Sequence, residues 1–150
     1  MRTFTIRYST IVAAAIVAVV YSASVQHCKE KRRDLLRHIE HEAEHLLAKE
    51  QKKEILNKWV PEIKNGACQV NVFCLAEEGL KYLDHHLSVG NVHHNKSKFQ
   101  GDKKLERLLA RYNNMTNDTN CTLNENVKCQ LGKFLSDLKT CARHACNSTG

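Results

Sequence analysis

Residues 127–146 read VKCQLGKFLSDLKTCARHAC, and this stretch decides the fold. Val127, Leu131, Phe134, Leu135, Leu138, Cys141, Ala142 and Ala145 recur at steps of three and four, so they share one face of a helix. Three more segments carry the same signature. From about Lys29 to Glu54 the stripe is Leu35, Leu36, Ile39, Ala43, Leu46 and Leu47, with Asp34, His38, His41 and His45 opposite. From about Gln69 to Leu87 it is Val72, Phe73, Ala76, Leu80, Leu83 and Leu87. From about Asp102, read as an N-cap, to Met115 it is Leu105, Leu108, Leu109 and Tyr112. No strand-type alternation of any length stands out.

Four helices with one apolar stripe each bury those stripes together as a four-helix bundle. The connections choose the topology. Between the first two segments lie Ile55, Leu56, Trp59, Val60 and Ile63 around Pro61, which cannot continue a helix. Trp59 is expected to be buried there, and Asn65-Gly66 to turn the chain. Residues 88–101 and 116–126 read as polar loops. Two long crossovers, the first and the last, are what an up-up-down-down bundle requires.

The chain has 150 residues, a formal net charge of +7, one proline and seven cysteines. That is the size of one domain, and the cysteines point to an oxidising compartment. Arg2 and Arg7 precede the apolar run Ile11 to Val20, and Ser22-Ala23-Ser24 supplies small residues at a cut. Residues 1–24 therefore read as a signal peptide cleaved after Ser24, leaving 25–150 as the secreted, extracellular domain. Glycosylation sequons at Asn95, Asn114, Asn117, Asn120 and Asn147 fit that compartment.

Motifs for chemistry are weak. His41-Glu42-Ala43-Glu44-His45 fits the zinc-protease pattern H-E-x-x-H. Its histidines point away from the apolar stripe, however, and a single bundle offers no second lobe to form a dry cleft. A solvated face, or adventitious metal on His38, His41 and His45, accounts for them. His85, His86, His93 and His94 flank one polar loop. No catalytic residue, metal site or cofactor is expected. Lys96, Lys98, Lys103, Lys104, Arg107 and Arg111 make the third segment basic. The compartment excludes nucleic acid. An acidic receptor face, an acidic glycosaminoglycan or solvent remain open as its neighbours.

Several stretches resemble the interleukin-4/interleukin-13 family of short-chain helical cytokines. They are Phe73-Cys74-Leu75-Ala76 with Leu80, Tyr82 and His85-His86; Phe99, Lys103, Leu105, Arg107, Leu108, Leu109 and Arg111; Leu131-Gly132-Lys133-Phe134-Leu135 with Leu138-Lys139-Thr140 and Arg143; and Asp34 before Leu35-Leu36, six residues after Cys28. The resemblance implies a monomeric ligand that bridges class I cytokine receptor chains, an interleukin-4 receptor alpha-like chain and a second one, to signal in immune cells. It implies Asp34 and Arg143 as receptor contacts; Arg107 and Arg111 offer a cation on the third helix in place of the family's, and helical phase puts His38 and His41 on the same face as Asp34. Two family contact positions are occupied differently here, by Asn114 and Cys146. The resemblance further implies bridges Cys74–Cys121 and Cys28–Cys146. Cys68 is then expected to pair with Cys129, which lies off the stripe, and Cys141, on the stripe, to be a buried free thiol. The rival readings are another short-chain cytokine and a basic, disulfide-linked helical protein that binds lipid in host defence.

Overall fold

A computed structural model describes residues 30–49, 54–90 and 101–148. Helix α1 covers 30–49. A 3-10 turn, Glu54–Asn57, leads to β1 (Trp59–Pro61) and to a small hairpin of β2 (Lys64–Asn65) and β3 (Ala67–Cys68). Then come α2 (Val72–Gly90), α3 (Gly101–Thr116), β4 (Lys128–Gln130) and α4 (Leu131–Ser148). The proposed signal peptide, Cys28, His93, His94 and Asn95 lie outside the described residues.

Side-chain pairs between helices fix their directions. Glu40 meets Arg143 and Glu44 meets Lys139, so α1 runs antiparallel to α4. Glu42 meets Lys104, and the Arg32 charge is felt at Tyr112, so α1 is also antiparallel to α3. Asn113 donates to Phe73 O and to Glu77 Oε1, while Glu106 reaches Asp84, so α2 is antiparallel to α3. Cys68 and Gly79 meet Cys141 and Phe134, so α2 is antiparallel to α4 as well. Helices α1 and α2 therefore point one way and α3 and α4 the other, the up-up-down-down bundle expected from the connection lengths.

The core is the expected set of stripes. Leu36, Ile39, Ala43 and Leu46 of α1 meet Ala76, Leu80 and Leu83 of α2, Leu105 and Leu109 of α3, and Leu131, Phe134, Leu135 and Leu138 of α4. Leu35 and Leu47 are only partly buried against it. Helices α2 and α4 approach closely at Gly79. A Cβ built there would sit 2.8 Å from Phe134 Cε2, so only glycine lets the Phe134 ring lie on the α2 backbone.

The long crossovers hold a feature the sequence reading lacked. Strands β1 and β4 pair antiparallel, with Val60 opposite Cys129, and so tie one crossover to the other. Leu131 N, the first donor of α4, has no partner within its own helix, and Lys58 O accepts from it at 2.8 Å. Each strand is only three residues long, too short for alternation to show. Two expectations fail here. Trp59 is 60% exposed, because it lies on the outer side of the ribbon while Val60 fills the inner side. Val127 is exposed too, since α4 begins four residues after it. The Asn65-Gly66 turn forms, with Gly66 at φ 78° at the hairpin tip. Asp102 falls inside the first turn of α3 rather than before it.

Cys74 is bridged to Cys121, the pair implied by the family resemblance. Cys68, however, bridges Cys141 and not Cys129, so Cys141 is no free thiol. The ribbon is the reason. It holds Cys129 opposite Val60 at the start of α4, whereas the β2–β3 hairpin carries Cys68 to the N-terminus of α2. That end lies beside the C-terminal half of α4, and Cys141 is ten residues along α4, about 15 Å from its start. Cys129 is a buried free thiol, and burial pushes its pKa up. Cys146 is buried, with its Sγ 3.9 Å from Arg33 O near the start of α1.

Candidate receptor-binding face

The face of α1 opposite its core stripe carries Asp34, His38, His41 and His45, all exposed. Asp34 Oδ2 lies 3.7 Å from His38 Nδ1, one turn on. Glu42 borders this face and is itself buried, only 6% exposed, on the side toward α3. A buried carboxylate needs a partner, and Lys104 Nζ supplies one at 3.3 Å. That pair stitches α1 to α3 and makes one continuous surface of their outer sides. The hydrophobic stripe alone gave no sign of Glu42, which stood only as the glutamate of the H-E-x-x-H match.

On α3, Arg111 is seven residues from Lys104, about 20° away around the helix, and so shares the side toward α1. Antiparallel register puts it level with Asp34. Arg107, one turn before Arg111 and about 40° further round the helix from α1, is exposed and lines a groove of about 470 Å³ between α2 and α3, together with Glu77, Lys81, Asp84, Lys103 and Glu106. The basic row of α3 is thus interleaved with acids, which weakens its claim on a polyanion. Arg143 is on a different side, where its Nε donates to Glu40 Oε1 at 2.8 Å. Asp34, His38 and His41 thus share the outer face of α1, register sets Arg111 level with Asp34 and Arg107 one turn away, and Arg143 lies on the other side of α1.

In the groove, burial first and Asp84 second hold the Glu106 carboxyl above its ordinary range. The folded chain then binds this proton more tightly than the unfolded chain. The stabilisation is fully present below the unfolded pKa and is lost as pH rises through the folded one. Glu106→Gln is expected to match wild type in thermal melts near pH 4 and to melt higher at pH 7. Equal shifts at both pH values would contradict the raised Glu106 pKa.

Other residues singled out in the sequence settle into local roles. His86 stacks on Tyr82, with ring centroids 3.9 Å apart, and its Nδ1 lies 2.9 Å from Tyr82 O. Lys128 sits over the same tyrosine ring at 5.3 Å. Among the described residues no group of three His, Cys, Asp or Glu is placed to hold a metal ion. Asn114, Asn117, Asn120 and Asn147 are exposed. Asn117 takes φ 57° just after α3. Its N–H bonds Asn114 O, and the next N–H, of Asp118, bonds Asn113 O at 2.9 Å, which closes the helix end in the double-bonded cap that a left-handed residue allows.

A short, disulfide-linked, up-up-down-down bundle with two long crossovers is the architecture of helical cytokines. Residues 60–146 match the interleukin 4 family model, more than half of the chain, and the chain belongs to that family. It is a cytokine of the interleukin-4 type, from a family of secreted signalling ligands rather than enzymes, whose partners are cytokine receptors. A search of individual curated proteins finds no match. Among the described residues no helix is long and apolar enough to cross a membrane.

Proposed function

We propose that the chain is secreted after cleavage behind Ser24 and bridges two class I receptor chains on immune cells, docking an interleukin-4 receptor alpha-like chain on the α1/α3 face. The observation that carries this reading is the Glu42–Lys104 pair, which makes one surface of two helices and leaves Asp34 exposed on it, level with Arg111. Asp34 is the one short carboxylate on the outer stripe of α1. Desolvated in a receptor pocket with hydrogen-bond partners, it would act as a hot spot, because truncation leaves those partners unpaired.

Asp34→Ala is expected to weaken binding to the receptor alpha ectodomain at least about tenfold, or ~1.4 kcal/mol. Its helicity and melting should stay near wild type, since among the described residues its ion-pair partner is an exposed histidine. Surface binding with circular dichroism on both proteins is the test. Wild-type affinity in the variant would remove α1 from the receptor face. The second receptor chain would then be sought on the side of α1 and α4 that carries Arg143.

A further inference from the structure

Three consecutive sequons, Asn114-Met115-Thr116, Asn117-Asp118-Thr119 and Asn120-Cys121-Thr122, crowd the end of α3. In the sequence they look equivalent. In the fold they are not. Asn114 is in the last turns of α3 and exposed. It is three residues after Arg111 and seven after Arg107, hence about 60° and 20° from them around the helix. Asn117 has left the helix and lines a cavity of about 720 Å³ at the bundle end, with Val72, Phe73, Tyr112 and Ala145. Asn120 adjoins the bridged Cys121 in the crossover.

Register sets the height of Asn114 on the bundle. Lys104 is level with Glu42. Asp34 is eight residues back along α1, and Asn114 is ten residues on along antiparallel α3, so the two differ by only about 3 Å along the axis. With neighbouring axes 8–10 Å apart, they lie within roughly 15 Å of each other.

We propose that Asn114 is a glycan acceptor and that its occupancy gates the α1/α3 receptor face, while a glycan on Asn117 leaves that face open. The inference rests on the receptor reading above. In the transfer, the Asn114 side-chain nitrogen forms a bond to the anomeric carbon of an oligosaccharide carried by a lipid pyrophosphate. The anomeric C–O bond breaks, the lipid pyrophosphate leaves, and one amide proton is lost to the enzyme or solvent. The product is a bulky, hydrated chain rooted beside Arg107, Arg111 and Asp34. Its volume excludes a receptor surface that must close to van der Waals distance on Asp34. At Asn117 the same chain projects from the bundle end.

The test expresses wild type, Asn114→Gln, Asn117→Gln and Asp34→Ala in one glycosylating host. Site occupancy is read by peptide mass spectrometry, and binding to the receptor alpha ectodomain by surface methods. The expected result is an occupied Asn114 and at least tenfold tighter binding by Asn114→Gln than by the glycosylated wild type, with Asn117→Gln unchanged. Enzymatic removal of the glycans should reproduce the gain in wild type. An unoccupied Asn114 overturns the proposal. So does an occupied Asn114 whose removal leaves affinity unchanged while Asp34→Ala still weakens binding; that outcome spares the receptor reading. If Asp34→Ala binds like wild type, the receptor face is misplaced and the gate falls with it.

Discussion

Phe134→Ala is expected to cost about 3–5 kcal/mol of unfolding free energy, enough to leave little of the fold at body temperature. The ring is fully buried and rests on the bare backbone of Gly79. Truncation therefore opens a void with no side chain on the α2 side to relax into it. The partner substitution makes the argument sharper. Gly79→Ala adds helix propensity worth about 1 kcal/mol but drives a Cβ to 2.8 Å from the ring. It should destabilise wild type and become neutral or stabilising in the Phe134→Ala background. Urea melts of the four proteins complete the cycle. Additive losses would mean that Gly79 and Phe134 do not share the contact.

Replacing Cys68 and Cys141 together by alanine is expected to cost about 2–5 kcal/mol, because the bridge closes a loop spanning 73 residues in the unfolded chain. Non-reducing peptide mapping should recover Cys68 joined to Cys141, with Cys129 alkylated only after denaturation. Recovery of Cys68 joined to Cys129 would overturn the bridge and restore the pairing expected from stripe position. The double variant also separates two roles for the crossover. If β1 and β4 stay paired without the bridge, Cys129 should remain protected in native buffer.

The helices were legible because their signal is periodic and local. Leu36, Ile39, Ala43 and Leu46 announce a buried face at steps of three and four wherever the rest of the chain goes. Hidden features depend on where distant segments meet. Trp59 looks like core by composition, yet one-residue alternation in a three-residue strand turns it outward. Cys141 sits on the apolar stripe, which suggests a packed thiol, but a disulfide is itself apolar and is satisfied there. Which cysteine it takes depends on the path from Pro61 to Val72, and that path is set by a ribbon with no sequence signature of its own. On the candidate receptor face, Asp34, His38 and His41 could be placed from helical phase alone. The place of Arg107 on the α2/α3 groove needed the neighbouring helix, and so did the contact of Glu42 with Lys104.

The two disulfides among the described residues and the longer of the two strand pairings share one property. Cys68–Cys141, Cys74–Cys121 and the pairing of β1 with β4 each join the part of the chain before residue 91 to the part after residue 100. None of them lies within one half. A single peptide-bond cleavage between those residues would break the continuity of the chain without releasing either piece. The cytokine would persist as a two-chain heterodimer in which each polypeptide supplies one up helix pair or one down helix pair, and α1 and α3, on different polypeptides, would still present their face together.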